Sequence, residues 1–584
     1  MKKVIIGAAW PYVNGDLHPG HIAGYNLPAD IFTRYQRLIG NEVMLVSGAD
    51  CYGTPITLQA DKEGTTPEQI VQKYAPRTKE LLCDIYKTSY DIFTQTHTKI
   101  HNLIVQIFFL NLLKNGYITR KFTRQYYSER DNRFYPDRYV EGECMYCHAK
   151  DQRADQCESC GRTLIPGELV NPKAKLTGSE VALKETEHYF FSLSSFKERL
   201  KNYLYSKKDI WREWVWKETE KWINELEDRS LTRDLDWGVE IPVEYMDEKD
   251  IVDHVENKRL YVWFDAVIGY FSASFVLKFG DKFDSINDLM PVFNEFVSKY
   301  WDSDDIDLVH YLFVGQDNLF FHTIWWPALL MGQEINLKLP DNVVVNYFLN
   351  LEGQKFSKSR GIYINARELV NTYGLDAVRY YLIRINPENS STHWYWDDFK
   401  DRINNELVAT LGNFVHRTLV FYAKYLGNSI SLENVQVDYE VKSIINSLFV
   451  DFYGNDGFDG LIGKARFKDA LDKLMDLARF GNLFFDRCAP WKSVKEDTKS
   501  CANAIYNCLH LILAISLLIS IFLPDAGSKL AKIFYVDFLY ERYSNRLFQM
   551  YDDDYLDTLI RENLLTIPSD LAPLFNKIDK IIKV

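Results

Sequence analysis

Residues 8–21 read AAWPYVNGDLHPGH, and the fold turns on how this stretch is parsed. Directly before it, 3–9 (KVIIGAA) is an apolar run of strand length. Pro11, Asn14, Gly15 and Asp16 break the run into a loop. From Pro19 the pattern is helical, with proline pre-set for a first helical position. Strand, tight loop and helix start is how α/β proteins hold phosphate, because free backbone amides and the helix dipole converge on one point. His18 and His21, three residues apart, share one face of such a helix start. Two imidazoles there are placed to hydrogen-bond a phosphate whose charge changes during transfer.

Working outward, 29–38 has the pattern of an amphipathic helix, 42–47 (EVMLVS) of a strand, and 48–53 (GADCYG) of a loop at that strand's carboxyl end. Ligands of open parallel sheets sit beyond the carboxyl ends of strands, which places Asp50 within reach of a substrate; the plainer role for it is a helix cap. The segment 67–115 reads as two or three helices. The character changes over 116–242, which holds the paired cysteines, Pro136, Pro166 and Pro172, and short strands such as 188–192. There Ser195 followed by Glu198 fits a capping box, and Trp211, Trp214 and Trp222 read as packing residues. The α/β pattern resumes with 260–263 and with 310–315 (HYLFVG), a strand ending in Gly-Gln-Asp; 342–348 then leads to 352–361, EGQKFSKSRG. From about Asp397 the strands stop and periodic apolar helices take over, which argues for a separate helical domain.

A chain of 584 residues exceeds one core and predicts three or four domains. Its 47% hydrophobic and 26% charged composition is that of an ordinary soluble protein. The 15% aromatic share suits dense cores and large flat ligands. A net charge of −13 argues against a general nucleic-acid coat but leaves room for a local basic groove. The apolar start is too short for a signal peptide. The apolar run 509–523 falls short of the roughly 20 residues a membrane span needs, so a buried helix is expected there. Nine cysteines, an odd number, point to a reducing cytoplasm and no membrane.

Four of those cysteines form two pairs, Cys144-Met-Tyr-Cys147 and Cys157-Glu-Ser-Cys160, separated by nine residues. Two such pairs supply four thiolates to a tetrahedral ion. Zinc is the expected occupant and, with no open position, a structural one; an Fe–S cluster or an empty site is the alternative. Lys355-Phe-Ser357-Lys358-Ser-Arg360 lies between Gly353 and Gly361, so the loop can move. Two ammonium groups three residues apart suit a clamp that closes on a triphosphate. A histidine pair after the first strand and a lysine loop after the last make two clamps for one nucleotide.

HPGH (18–21) and KFSKS (355–359) together resemble the HIGH and KMSKS signatures of class I aminoacyl-tRNA synthetases. PYVNGDLHPGH, GADCYGTPI, PDRYVEGECMYC, the stretch Arg233-Asp234 to Trp237-Gly238, YVWFDAVIGY, GQDNLFFH and KFSKSRG follow one another as in the methionyl-tRNA synthetase family. The resemblance is strong over about 1–400 and looser in the helical part. It implies a Rossmann-like catalytic domain of two halves (1–115 and 243–340) split by a connective insertion with a zinc knuckle (116–242). A KMSKS-type loop and stem-contact region (341–396) and an α-helical anticodon-binding bundle (397–584) would follow. The implied activity is ATP-dependent ligation of L-methionine to tRNA(Met) through a methionyl-adenylate.

By the same resemblance, His18, His21, Lys355, Ser357 and Lys358 would bind ATP, with the two histidines and two lysines catalytic. Asp50 would take the methionine ammonium, and Tyr12, Trp263, Tyr270, His322, Asp317 and Trp326 would form its pocket. Aromatic walls suit a polarizable sulfur. Asn413 and Arg417 would read anticodon bases, and Trp491, in a loop with Ala489 and Pro490, would stack on one of them. Cys144, Cys147, Cys157 and Cys160 would hold one structural Zn2+ per chain, and Mg2+ would accompany ATP. Trp10 stands where the family commonly has leucine, Pro19 replaces an aliphatic residue and Phe356 a methionine. The alternatives are a class I enzyme for leucine, isoleucine or valine, which carries a longer insertion, and a non-catalytic tRNA-binding relative. With no further oligonucleotide-binding segment after the bundle, a cytoplasmic monomer is expected.

Overall fold

The computed structural model describes residues 1–136, 139–154, 157, 159, 160, 162, 164, 166–357, 361–449, 458–535, 553–565, 567, 568 and 570–584. Among them, a five-stranded parallel sheet forms the centre: β1 (Lys3–Ala8), β2 (Glu42–Ala49), β3 (Ile92–Gln95), β4 (Leu308–Gly315) and β5 (Asn342–Asn346). Their spatial order is β5-β4-β1-β2-β3. Ile6 of β1 lies in register with Leu45 on one side and Tyr311 on the other. Val4 to Ala8 and all of β5 are buried, as expected for strands covered on both faces. The chain fills one side of β1 first and returns to the other only with β4. Open α/β sheets bind ligands at such a reversal, beyond the carboxyl ends of the strands.

Two strand expectations need correction. β3 falls inside the segment expected to be wholly helical; its four residues, paired in parallel with β2, are too few to show a period. Residues 260–263 add no strand to the central sheet. The strand there, Lys258–Leu260, pairs antiparallel with Thr232–Asp234 and Val239–Glu240 in a separate small sheet. Trp263 belongs instead to a helix, buried almost all round, so its sequence carries no amphipathic signal.

The helices that position the site are α1 (Leu27–Leu38), α2 (Lys99–Lys114) and α3 (Val262–Phe279). α1 continues from a helical turn begun at Pro19 and buries Ile31, Phe32 and Tyr35 toward the sheet, with the Phe32 ring 4.6 Å from that of Tyr311. α2 packs on α3, which packs on β2 and β3.

The insertion is built on antiparallel strands Ile118–Ser128 and Ala182–Phe191; the latter is longer than the short strand expected at 188–192. A second small sheet, Val140–Cys144, Gln152–Arg153 and Leu169–Ala174, carries the first of the four cysteines, Cys144, and has its own core around Tyr126, Tyr135 and Val140. The expected capping box is absent. Helix Lys197–Ser206 follows a tight turn with Phe196 at its cap, and the Ser195 hydroxyl donates to the Ser192 carbonyl instead. The three tryptophans pack against the second half of the α/β domain: Trp211 donates to the Asp341 carbonyl, Trp214 lies against Tyr347 and Trp222 against Phe320.

The C-terminal part is helical, with α4 (Leu375–Arg384), α5 (Asn413–Leu426), α6 (Phe467–Cys488), α7 (Pro490–Glu496) and α8 (Thr498–Phe522). The apolar run 509–523 lies mostly in α8, and 94% of the most apolar window of that helix is buried inside the fold: it is a core helix. Arg379 of α4 is buried, ion-paired to Asp30 of α1 at 2.7 Å, and donates to the carbonyls of Phe522 (2.7 Å) and Tyr86 (3.2 Å). Through this one guanidinium the end of α8 is tied to α1, the helix that continues the turn begun at Pro19.

Candidate active site

The loop after β1 is zipped to the loop after β2. Asp50 N–H donates to the Pro11 carbonyl at 2.9 Å, and Val13 N–H donates to the Asp50 carbonyl at 3.3 Å. Tyr12 crosses over Gly53 so closely that a Cβ there would sit 2.1 Å from its Cε1; only glycine leaves room for the ring. Beyond the strand ends lies a cavity of about 430 Å³. Tyr12, Asp50, Trp263, Tyr270, Asp317 and His322 line one part of it, and His18, His21, Lys355 and Phe356 another.

At the first end, His322 Nδ1–H donates to the Asn318 carbonyl at 2.8 Å, so its Nε2 accepts from the Tyr270 hydroxyl at 2.7 Å. Burial lowers the His322 pKa to about 4, and the ring is neutral at pH 7. A neutral, polarizable wall results, with Trp263 exposed at its rim against Phe321. Asp50 is 4% exposed; burial, then the neighbouring Asp265 carboxyl, push its pKa well above the usual carboxylate range. An ammonium group arriving here would meet a desolvated carboxyl with no competing lysine or arginine paired to it among the described residues.

At the other end His18 caps the helix start. Its Nδ1 accepts from Gly20 N–H at 3.1 Å, while His21 Nδ1 accepts from His18 N–H at 3.2 Å. With Nδ1 of both rings acting as acceptor, the neutral imidazoles carry their proton on Nε2, the donor that a phosphate oxygen requires. The His18 and His21 centroids are 4.0 Å apart, and Phe356 stacks on His18. The lysine loop rises from an antiparallel bridge in which Ser357 and Ile362 exchange backbone bonds of 2.7 and 3.0 Å. Gly353 (φ 87°) and Gly361 (φ 70°) flank it in the left-handed region. Lys355 is exposed, its Nζ 5.4 Å from the Phe348 ring centre. Lys358 lies outside the described residues.

Trp326 is not brought to the cavity: fully buried, it stacks on Phe108 and meets Trp301 edge-on. Trp10 does line the cavity, its indole occupying space left by Gly48 and Gly269. Sequence reasoning missed Tyr25, Phe321, Tyr347 and Phe348 in the lining. The last two directly follow β5, where the carboxyl-end rule that flagged Asp50 applies equally.

Away from this cavity, the Sγ atoms of Cys144, Cys147, Cys157 and Cys160 lie within 4.8 Å of one another, with Cys147 and Cys157 at 3.5 Å. Sulfurs around a tetrahedral Zn2+ at about 2.3 Å stand about 3.8 Å apart, so the donor set fits such an ion. The Cys160 N–H points at Cys157 Sγ (3.4 Å), as a knuckle that stabilises thiolate requires. On the bundle, Arg417 donates to the Asn482 carbonyl and to Asp486, both at 2.7 Å, and covers the Phe485 ring. Asn413 reaches Asn482, and Trp491 stands 6.0 Å from Phe485, so the three predicted residues share one surface. Trp491 is 46% exposed and sits in the first turn of α7, not in a loop.

The family model for class I tRNA synthetases (M) matches residues 4–419, and that for the anticodon binding domain of methionyl tRNA ligase matches 457–580. The methionine--tRNA ligase of Thermococcus kodakarensis is 40% identical over 542 residues, 91% of this chain and 70% of that protein. That of Chloroflexus aurantiacus is 39% identical over 552 residues, 91% of this chain and 86% of that protein. A solved Mycobacterium tuberculosis methionyl-tRNA synthetase in complex with methionyl-adenylate superposes with a TM-score of 0.70 at 23% identity, over 91% of this chain and 94% of that one, and shares the fold.

Proposed function

The chain belongs to the methionine--tRNA ligase family of class I tRNA synthetases, and from that membership we propose how its own residues carry the reaction. The enzyme joins methionine to tRNA at the expense of ATP. A carboxylate oxygen of methionine attacks the α-phosphorus, the bond to the bridging oxygen of the β-phosphate breaks, and pyrophosphate leaves. The terminal ribose hydroxyl of the tRNA then attacks the methionyl carbonyl and AMP leaves. No covalent enzyme intermediate is needed, so catalysis is positioning plus stabilisation of phosphate charge.

In this scheme Asp50 receives the ammonium of methionine, and Tyr12, Trp263, Tyr270 and His322 surround the thioether. Asp317 shapes the rim, while Trp326 supports the pocket from the core. His18 and His21 donate from Nε2 to phosphate oxygens. Lys355, Ser357 and Lys358 hold the pyrophosphate, and Mg2+ accompanies ATP. One Zn2+ per chain occupies the four cysteines as a structural centre. Asn413 and Arg417 read the anticodon of tRNA(Met), and Trp491 stacks on one of its bases. The enzyme works in the cytoplasm as a monomer.

The observation that carries the assignment is the single cavity lined by both His18–His21 and Asp50, one end fit for a triphosphate and the other for an ammonium. ATP–pyrophosphate exchange measured with each amino acid in turn tests it. Methionine is expected to stimulate exchange; stimulation by leucine, isoleucine or valine alone, or by none, overturns it.

A further inference from the structure

The turn that carries the chain from His21 into α1 is one internal hydrogen bond short. Leu27 N–H donates to the Ile22 carbonyl, five residues back rather than four, so Ile22–Asn26 form a single wide turn. In that register the donor for Ala23 would be position 28, and Pro28 has no N–H. Ala23 is fully buried, so its carbonyl needs a donor from elsewhere in the fold. Asn346, the last residue of β5, supplies one: its Nδ2 donates to the Ala23 carbonyl at 3.2 Å and to Asn386 Oδ1 at 3.0 Å. The amide is held in that sense, because its Oδ1 accepts from Arg212 at 2.8 Å and a guanidinium only donates. Arg212, from the insertion, also donates to the carbonyls of Val345 (2.7 Å), Glu388 (2.9 Å) and Ala465 (2.9 Å), which anchors it from three sides. Asn346 itself is 1% exposed, and Tyr347 and Phe348, next in the chain, line the cavity.

We propose that Asn346 is a positioning residue for the reaction: by giving Ala23 the donor that Pro28 withholds, it sets the turn after His21 and with it the direction of the His21 Nε2–H. The bonds within the HPGH stretch, His21 N–H to the His18 carbonyl at 3.0 Å and His18 N–H to His21 Nδ1 at 3.2 Å, tie the two histidines to each other. The Asn346 bond ties the turn that follows them to the carboxyl end of the central sheet, beside the cavity wall. A donor that must meet a phosphate oxygen loses much of its effect when displaced by about 1 Å. Asp50 and the wall around His322 and Tyr270 stand on other elements, so the methionine end does not depend on this bond.

The role rests on His21 acting at the phosphates, as in the reaction scheme above. The test is methionine-dependent ATP–pyrophosphate exchange by the full chain. Asn346→Ala should lower kcat by about 10- to 100-fold and leave the KM for methionine within about twofold of wild type. In a chain that already carries His21→Ala, the same substitution should cost no more than about twofold, because the group it positions is gone. Pro28→Ala alone should stay close to wild type. Joined to Asn346→Ala it should return most of the lost kcat, since the new N–H stands in register with the Ala23 carbonyl. Where Asn346→Ala does not fold, Asn346→Asp keeps the side-chain shape and the Arg212 bond but not the donor, and should show the same loss and the same split. Equal losses with and without His21, a methionine KM that rises as far as kcat falls, or no rescue by Pro28→Ala overturns the positioning role and leaves the function standing. Unchanged exchange in His21→Ala removes the phosphate role and the positioning role with it. Absence of methionine-dependent exchange in the unaltered chain overturns the function itself.

Discussion

The imidazole of His18 lies on the phenyl ring of Phe356 with centroids 4.5 Å apart and planes 13° from parallel. The two residues stand more than three hundred positions apart in the chain. One belongs to the helix start after the first strand, the other to the base of the lysine loop after the last. Their stack therefore fixes the spacing between the two halves of the phosphate clamp before any nucleotide arrives.

That geometry separates two kinds of variant. His21→Ala removes an Nε2–H donor aimed at phosphate and should lower kcat for methionine-dependent ATP–pyrophosphate exchange by about 100- to 1,000-fold. The KM for methionine should change little, because His21 lies at the other end of the cavity. Phe356→Ala removes only the stack and should cost about two- to tenfold, expressed in the KM for ATP. An unchanged exchange rate in His21→Ala would sink the phosphate role.

Trp10 owes its place to two glycines, and they differ in what surrounds them. The three atoms nearest a Cβ on Gly269 all belong to the Trp10 indole, the first at 2.8 Å. A Cβ on Gly48 would meet the indole at 2.3 Å and also the Thr94 carbonyl at 2.6 Å. Gly269→Ala should therefore cost about 1–3 kcal/mol by overpacking and raise the KM for methionine. Adding Trp10→Leu should restore most of both losses. The same second change should not rescue Gly48→Ala, whose backbone clash persists. Equal rescue of both glycine variants would show that the indole is not what fills the slot.

How much of this was legible in the chain depended on how local each feature is. β1, its loop and the turn at Pro19 are encoded within twenty residues, and the apolar run, breakers and proline all agree. Asp50 followed from a rule about strand ends that needs no tertiary knowledge. The stack of Phe356 on His18 did not, because aromatic partners across three hundred residues leave no periodic trace. β3 failed for shortness, and 260–263 failed because a helix buried all round lacks a polar face. Trp326 shows the limit of carrying a role by motif: its neighbours in sequence reach the cavity, while its own side chain points into the core against Phe108.

Arg379 joins the bundle to the α/β domain, and its replacement should be costly. Burial raises the Asp30 carboxyl, but the guanidiniums of Arg34 and Arg379 outweigh it and hold the pKa down to about 2. Asp30 keeps its bridge to Arg34 at 2.8 Å, so the loss of the Arg379 guanidinium leaves the buried carboxylate partly compensated and should cost about 3 kcal/mol, the low end for breaking a buried pair. Arg379→Ala should lower the urea midpoint accordingly. Arg379→Lys should recover little, since one ammonium cannot reach Asp30 and the Phe522 and Tyr86 carbonyls together. Wild-type stability in either variant would show the joint to be incidental.

The cysteine cluster makes a prediction in metal content. Purified protein should carry about one zinc per chain, and Cys157→Ser should lose it. Because the small sheet around Val140 has few apolar residues of its own, the loss should expose the insertion to proteolysis before the central sheet is affected. Metal retained in the variant, or iron found in place of zinc, would overturn the assignment.

Two buried titratable groups far from the cavity should give the stability opposite pH slopes when each is replaced. His310 is a buried residue of β4, and burial lowers its pKa to about 4. It contributes stability that is present above pH 6.5 and lost as the pH falls toward 4, because only the unfolded chain takes up the proton. Glu388 is buried where α6 begins, accepting from Phe467 N–H at 2.9 Å and Lys468 N–H at 3.2 Å. Burial raises its pKa to about 7, with Arg212 opposing. Its contribution is present below about pH 4.3 and lost as the pH rises to 7. Relative to wild type, His310→Gln should gain about 1.4 kcal/mol for each unit the pH falls between 6.5 and 4, and Glu388→Gln the same for each unit it rises between about 4.3 and 7. Urea midpoints at pH 4.5, 5.5 and 6.5 measure both lines. Parallel slopes in the two variants would mean that at least one of these groups is not held in the protonation state its burial demands.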